Sequence, residues 1–130
     1  MYNRKFASVT KDQKFVPTHG GQRVPVGKVV FKSCQGDVAK LLVVEEGLVP
    51  NNSVGRGGDY DGKFRVRKVF VLGIVDREGS VLFDASSGRG GIYVVGQLYT
   101  PNGFTSDVDD DCGMGVHCFA TYGQAKRLSV

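Results

Sequence analysis

No stretch of this chain is apolar over the roughly 20 residues that a membrane-spanning helix takes. The opening Met1-Tyr2-Asn3-Arg4-Lys5-Phe6 lacks the apolar run of a secretory signal. Cysteines number three, an odd count that argues against a disulfide framework. These absences exclude a helical membrane protein and a disulfide-stapled secreted domain. The expectation is a protein that is not secreted, does not enter a membrane and works in a reducing compartment. Helix formers are scarce as well, and no segment keeps a helical apolar period for three turns. Glycine is what abounds: 19 of 130 residues, against an average usage of roughly 7%. The glycines run from Gly20 to Gly123, the punctuation of many short strands joined by tight turns.

A chain of this length has room for one domain with one core. Its net charge of +4 is unevenly placed. Residues 1–28 carry Arg4, Lys5, Lys11, Lys14, Arg23 and Lys28 against the single acid Asp12, a net +5 that leaves the remainder at −1. Pro17, Pro25 and Gly20-Gly21 forbid a long helix there. The sequence therefore predicts an extended basic N-terminal arm over 1–27, with an edge strand near 13–17, and a single β-rich domain over 28–130. Such asymmetry points to an anionic partner, either nucleic acid or an acidic protein face, unless the arm is a solvated leader.

Within the domain, residues 28–32 and 41–44 read as strands, the second of them buried. A loop of turn formers over 51–62 precedes a long strand over 63–72. Alternation there sets Lys63, Arg65 and Arg67 on one face and Phe64 and Val66 on the other. Residues 76–79 form a turn, with short strands at 80–84 and 92–95. The segment 100–115 is irregular and holds Asp107, Asp109, Asp110 and Asp111. Residues 116–120 make a last strand, after which Thr121 caps a short helix. The fold class is mainly β (β-rich α+β): a compact small antiparallel sheet or barrel-like domain with one short C-terminal helix.

Chemistry concentrates in Asp109-Asp110-Asp111-Cys112-Gly113-Met114-Gly115-Val116-His117-Cys118. Cys112 and His117 are standard zinc ligand types, but their spacing fits no structural knuckle, and Cys34 and His19 complete a set only if the fold brings them near. A Cys112–His117 nucleophile pair, with Asp111 beside it, is a second reading. The neighbouring carboxylates disfavour the thiolate this requires. Plain packing is the third: Cys118 as a small core residue and His117 as an anchor for the acidic loop. No metal and no cofactor is expected. Gly-Arg-Gly-Gly occurs at 55–58 and again at 88–91, matches no phosphate-binding signature, and reads as hairpin turns with positive φ. The row Lys63, Arg65 and Arg67 is the best nucleic-acid surface within the folded body, with an edge-blunting charged face as the alternative.

In the C-terminal third, Tyr93-Val94-Val95-Gly96, Pro101, Phe104, Asp107, the run from Cys112 to Thr121, and Ala125 occur in order. Together they resemble an uncharacterised domain of bacteriophage and large-DNA-virus proteins, some of which carry pentapeptide repeats. That family has a Tyr-x-Val-Gly segment, Pro and Phe, a Cys-x-x-Gly-Ile-His-Phe-Phe strand and a short helix opening at Thr. The likeness covers residues 38–128, with Val116 and Cys118 in place of isoleucine and phenylalanine. It implies a viral origin and a β-rich fold, points at Cys112, Gly115 and His117, and brings no established activity. The strand 115–120 is also similar to the glycine-rich tyrosine strand of ADP-ribosyltransferases, with His117 in the place of Tyr and no glutamate motif after it. The expected function is that of a non-enzymatic phage protein working by binding or assembly, as a virion accessory or structural protein or a host-directed binder. Arg4, Lys5, Lys11, Lys14, Arg23, Lys63, Arg65 and Arg67 would be its contact residues. Its partners would be viral or host subunits or nucleic acid, as part of an oligomer or larger assembly in the virion or host cytoplasm. The alternative is a small enzyme or nucleotide-binding protein using Cys112, His117 and the loop Asp107–Asp111.

Overall fold

The computed structural model describes residues 15–51, 62–88, 91–110 and 113–127. Two twelve-residue strands form the frame, β3 (Asp37–Leu48) and β4 (Phe64–Val75), antiparallel along nearly their whole length. Both are rich in valine, leucine and isoleucine, the side chains that pack best on a pleated, buried surface. Register shifts between Lys40 and Leu41 and between Val43 and Glu45 break the pairing. Such bulges bend a strand and increase its twist, and the sheet curls accordingly.

The shorter strands attach to this frame. β1 (Arg23–Val24) and β2 (Val29–Cys34) line the free edge of β3. Along β4 lie β5 (Val81–Leu82), β8 (Leu98–Tyr99) and β9 (Val116–Cys118). β6 (Asp84–Ser86) and β7 (Ile92–Val94) make a separate two-stranded sheet. Just past β9, Phe119 exchanges two backbone hydrogen bonds with Phe31 of β2, at 2.8 and 2.7 Å. That bridge ties β2 back to β9 and draws the curled sheet towards a barrel. The expected class is what forms: a mainly β, antiparallel, barrel-like sheet with one short C-terminal helix.

The β2–β3 hairpin turns on Gln35-Gly36, with φ of 53° and 99°. Positive φ at both central residues is the type I′ geometry whose twist suits a two-residue hairpin, and glycine adopts it without steric cost. Because Gln-Gly is a weaker turn signal than Asn-Gly, the sequence reading stopped both strands short. The small helix, α1 (Tyr122–Arg127), opens with a reciprocal cap. The Gln124 amide donates to Thr121 Oγ1 and the Thr121 amide to Gln124 Oε1.

The sheet is buried on both sides, which explains apolar runs such as Val29-Val30-Phe31. One face carries the main cluster, including Val30, Leu41, Val43, Phe64, Val66, Val69, Tyr93 and Cys118. The other packs Val29, Phe31, Val38, Leu72 and Phe119 beneath Ala125 of the helix. Residues 15–27 belong to this packing: Phe15 lies edge-on to Phe64 at 5.3 Å, and Val24 is fully buried. The edge strand expected near 13–17 is not present at 15–17. The edge pairing is made instead at Arg23–Val24, where the Pro-flanked segment runs alongside Gly47 and Leu48. Among the described residues no helix is long and apolar enough to cross a membrane.

Candidate functional site

The cationic row expected along β4 is unevenly exposed: Lys63 is half-buried, and Arg65 and Arg67 lie against the same Phe104 ring, one buried and one exposed. Arg67 is exposed, with its guanidinium 4.1 Å from the centroid of the Phe104 ring. Arg65 is completely buried. Gly47 packs closely against the Arg65 carbonyl, and the Arg65 side chain reaches the backbone of the acidic segment. There Nε donates to the Thr105 carbonyl at 2.8 Å, Nη1 to that of Asp110 at 2.6 Å and Nη2 to that of Asp107 at 2.7 Å. The planar guanidinium fork suits three acceptors spread over one loop. Arg65 therefore holds the loop from below and offers nothing to nucleic acid.

The segment after the loop is shaped by this pin. Thr105 donates its amide to the Met114 carbonyl at 3.0 Å and accepts the Met114 amide at Oγ1 at 2.8 Å. Gly113 sits so close that a Cβ there would stand 2.5 Å from Thr105 Cβ. Gly115 has φ of 142°, and a Cβ would press on Phe104 and the Arg65 side chain. The Gly-x-Gly spacing is thus a packing requirement. His117, directly opposite Arg65 in the β4–β9 register, hydrogen-bonds through Nε2 to the Gly113 carbonyl. A carbonyl oxygen only accepts, so that partner assigns the proton to Nε2 and the lone pair of the neutral ring to Nδ1. Gly113 is thus the partner of this ring nitrogen.

These elements enclose a pocket of about 400 Å³ where the edges of β2, β4 and β9 meet the small β6–β7 sheet. Lys32 comes from β2, Lys63 from the entry to β4, Tyr93 from β7, Tyr99 from β8, and Met114 and His117 from the last segment. Lys32 Nζ donates to the His117 carbonyl at 3.0 Å and stands 5.8 Å from the Tyr93 ring centroid. Tyr93 and Tyr99 stack at 4.1 Å with their planes 28° apart. Burial holds the His117 imidazole below its ordinary pKa, and the charges of Lys63, Lys32 and Arg65 add to that effect against the pull of the Gly113 carbonyl. No Asp or Glu is among the described lining residues. The described lining thus sets two lysines and a neutral histidine beside a stacked pair of tyrosines.

Residues 10–125 match a family described only as a family of unknown function, DUF5758. The chain belongs to this family. No curated protein and no solved structure matches it. The DUF5758 span opens well ahead of residue 38, so it takes in part of the basic segment.

Of the other residues singled out in this DUF5758 chain, Arg4, Lys5, Lys11, Lys14, Asp111, Cys112 and the glycine run 55–58 lie outside the described residues. Arg23 is exposed and pairs with Glu46 at 3.2 Å. Asp107 Oδ1 accepts the Asp109 amide, and Asp109 accepts from Asn51 Nδ2 at 2.6 Å, so these carboxylates organise their own loop. Of the second glycine run, residues 89–90 lie outside the described ones; at its ends Ser87 donates its amide to the Gly91 carbonyl, and Gly88 has φ of 82°. Cys34 and Cys118 are buried; desolvation pushes the Cys34 thiol up to about 11, and burial pushes Cys118 up further. Among the described residues, no three His, Cys, Asp or Glu side chains gather as a metal-ligand set. The sequence reading found His117 and Lys63 but missed Lys32, Tyr93, Tyr99 and Met114. These come from four separate segments, and only tertiary structure joins them.

Proposed function

We propose that this chain is a non-enzymatic binding protein that accepts an anionic group in the pocket lined by Lys32, Lys63 and His117. One observation carries the reading: two lysines and an imidazole held neutral line a single concavity. A phosphate or carboxylate inside would form charge-assisted hydrogen bonds with the ammonium groups. It would also offset the lysine charges that depress His117, so the ring gains a proton and a second donor as the anion arrives.

The site favours binding over chemistry. His117 commits Nε2 to Gly113, and the buried hydroxyl of Tyr93 is held protonated by desolvation. Arg65 ties the acidic loop to the sheet through the carbonyls of Asp107 and Asp110. The likeness to phage and large-DNA-virus domains supports a virion or host-cytoplasmic setting. There the basic N-terminal segment would engage viral or host subunits or nucleic acid within a larger assembly.

The test is an amide NMR titration of the full chain with inorganic phosphate and then pyrophosphate, at low and high salt. Shifts should cluster at Lys32, Lys63 and Gly113–His117. Lys63→Met should weaken binding about tenfold, the scale of one charge-assisted hydrogen bond. Shifts that are absent, or confined to exposed cations outside the pocket, would overturn the reading.

A further inference from the structure

The face of the sheet that packs beneath the helix carries an apolar groove of about 520 Å³. Its floor is two cross-strand rows. Val38, Val75 and Val81 stand side by side on β3, β4 and β5, and Phe31, Lys40 and Gly73 make the next row on β2, β3 and β4. Gly73 adds no side chain, so the floor is recessed beside Lys40. Tyr122 of α1, edge-on to Phe31 at 6.3 Å, forms one wall. The helix packs mainly on β2 and β3, and on the β5 side of the groove Val81 is 79% exposed.

Two residues beyond Val81, Phe83 is 85% exposed, and these two are the most exposed large apolar side chains among the described residues. Apolar residues scattered singly over a surface are ordinary. A bare phenylalanine beside an apolar groove is a knob next to a socket, since two residues of strand span only roughly 7 Å. The charges match as well. Lys40 lies in the groove, and the exposed Asp84 directly follows Phe83. Neither enters an ion pair with a described residue. A Phe83 ring seated in the groove of another copy would carry Asp84 towards that copy's Lys40.

We infer that two copies of this chain associate about a twofold axis, the Phe83 of each seated in the groove of the other and Asp84 set against the opposing Lys40. A twofold contact uses the same patch on both partners, so a patch that holds both knob and socket is self-complementary. A phenylalanine buries roughly 150–250 Å². Two of them, each with the apolar floor that it covers, give a contact in the small class below roughly 1,200 Å². The dimer is therefore a reversible one, with a dissociation constant in the micromolar range. It does not involve the anion pocket.

The experiment is sedimentation equilibrium of the full chain from micromolar to millimolar concentration. The unmodified chain should dimerise. Phe83→Asp changes an exposed residue and so spares the fold. It should weaken the dimer about a thousandfold, because a central aromatic is worth about thirtyfold or more and the twofold axis counts it twice. Val81→Lys should act in the same direction from the socket side. Lys40→Glu and Asp84→Lys should each weaken the dimer about fivefold, the scale of exposed ion pairs, and the two together should restore it, which a merely structural effect would not do. In a sample mixing isotope-labelled and unlabelled copies, the Phe83 ring should show contacts with the Val75 and Val81 methyls of the other copy. A chain that stays monomeric throughout, or a dimer that Phe83→Asp leaves unchanged, would overturn the inference. So would a monomer whose groove takes up dodecanoate, since the occupant would then be a lipid-like ligand and not a second copy.

Discussion

Arg65→Met tests the central correction to the sequence reading. Methionine keeps much of the apolar stem and removes the guanidinium, so the loop loses its bonds at Thr105, Asp107 and Asp110. Hydrogen bonds made by a charged group contribute about 1.5–3 kcal/mol each, but the three cannot be counted in full. Asp107 and Asp110 are exposed residues whose carbonyls can turn to water, and removing a buried cation recovers its desolvation cost. A net loss of about 2–4 kcal/mol remains, within the range for breaking a buried polar network. For a chain of this size, between the small and mid-sized domain classes, that corresponds to a fall in Tm of about 6–20 °C.

Arg65→Lys should do no better, since an ammonium retains the buried charge without the fork. The assay pairs urea denaturation with amide hydrogen exchange. Protection should fall first at the amides of Thr105, bonded to Met114, and Asp110, bonded to Asp107. A surface cation would behave in the opposite way, losing salt-dependent nucleic-acid affinity with stability intact. If Arg65→Met changes stability by less than about 0.5 kcal/mol and leaves both amides protected, the pin does not exist.

Gly47→Ala should cost about 1–3 kcal/mol by urea denaturation, the scale of overpacking. Its Cβ falls on the Arg65 carbonyl oxygen and the Val66 backbone, which cannot swing aside, so a neutral result would mean that β3 and β4 are not this close. In a Cys112→Ser variant, Cys34 and Cys118 should resist a thiol-directed reagent at about pH 8, because both pKa values lie above the ordinary value near 8.5. Both should react once the chain is unfolded, and fast native labelling would contradict their burial. Sulfate, whose charge does not change over this range, should bind more tightly as pH falls from about 7.5 towards 6, because the anion raises a histidine that burial, Lys63, Lys32 and Arg65 hold low. Without ligand the sign reverses: the unfolded chain takes up a proton near pH 6.5 that folded His117 refuses, so stability should decline as pH drops through that value. A pH-independent sulfate affinity would place His117 away from the ligand.

Local rules carried the fold further than the site. Glycine frequency, β-branched runs and the Thr121 cap are near-neighbour signals, and they located β2, β3, β4, β9 and α1. Period-two alternation separated Arg65 from Phe64, but the curled sheet buries both. Alternation names faces without saying which face meets solvent. Nothing adjacent to Arg65 in the chain reports that three carbonyls forty or more residues later will meet it. The charge break near residue 28 records where cations lie, whereas Phe15 and Val24 are core residues. β8 was missed because Leu98–Tyr99 is a two-residue strand that exists only through its pairing with Val69 and Phe70.

The pin and the pocket form one mechanical unit. Arg65 fixes Thr105, Thr105 fixes Met114 through two hydrogen bonds, and Gly113 receives the ring of His117. Arg65 is also one of the charges that hold His117 neutral. The residue therefore acts on the pocket twice, through the shape of its Gly113–Gly115 wall and through the field at its imidazole. Those two effects are separable. A variant that loosens the loop and keeps the charge, such as Arg65→Lys, should weaken phosphate binding with little change in its pH dependence. Arg65→Met removes the charge too, so it should weaken binding and also shift the His117 titration upward, read from the imidazole proton resonances. If both variants displace that titration equally, the charge of Arg65 does not reach the site and only its geometry does.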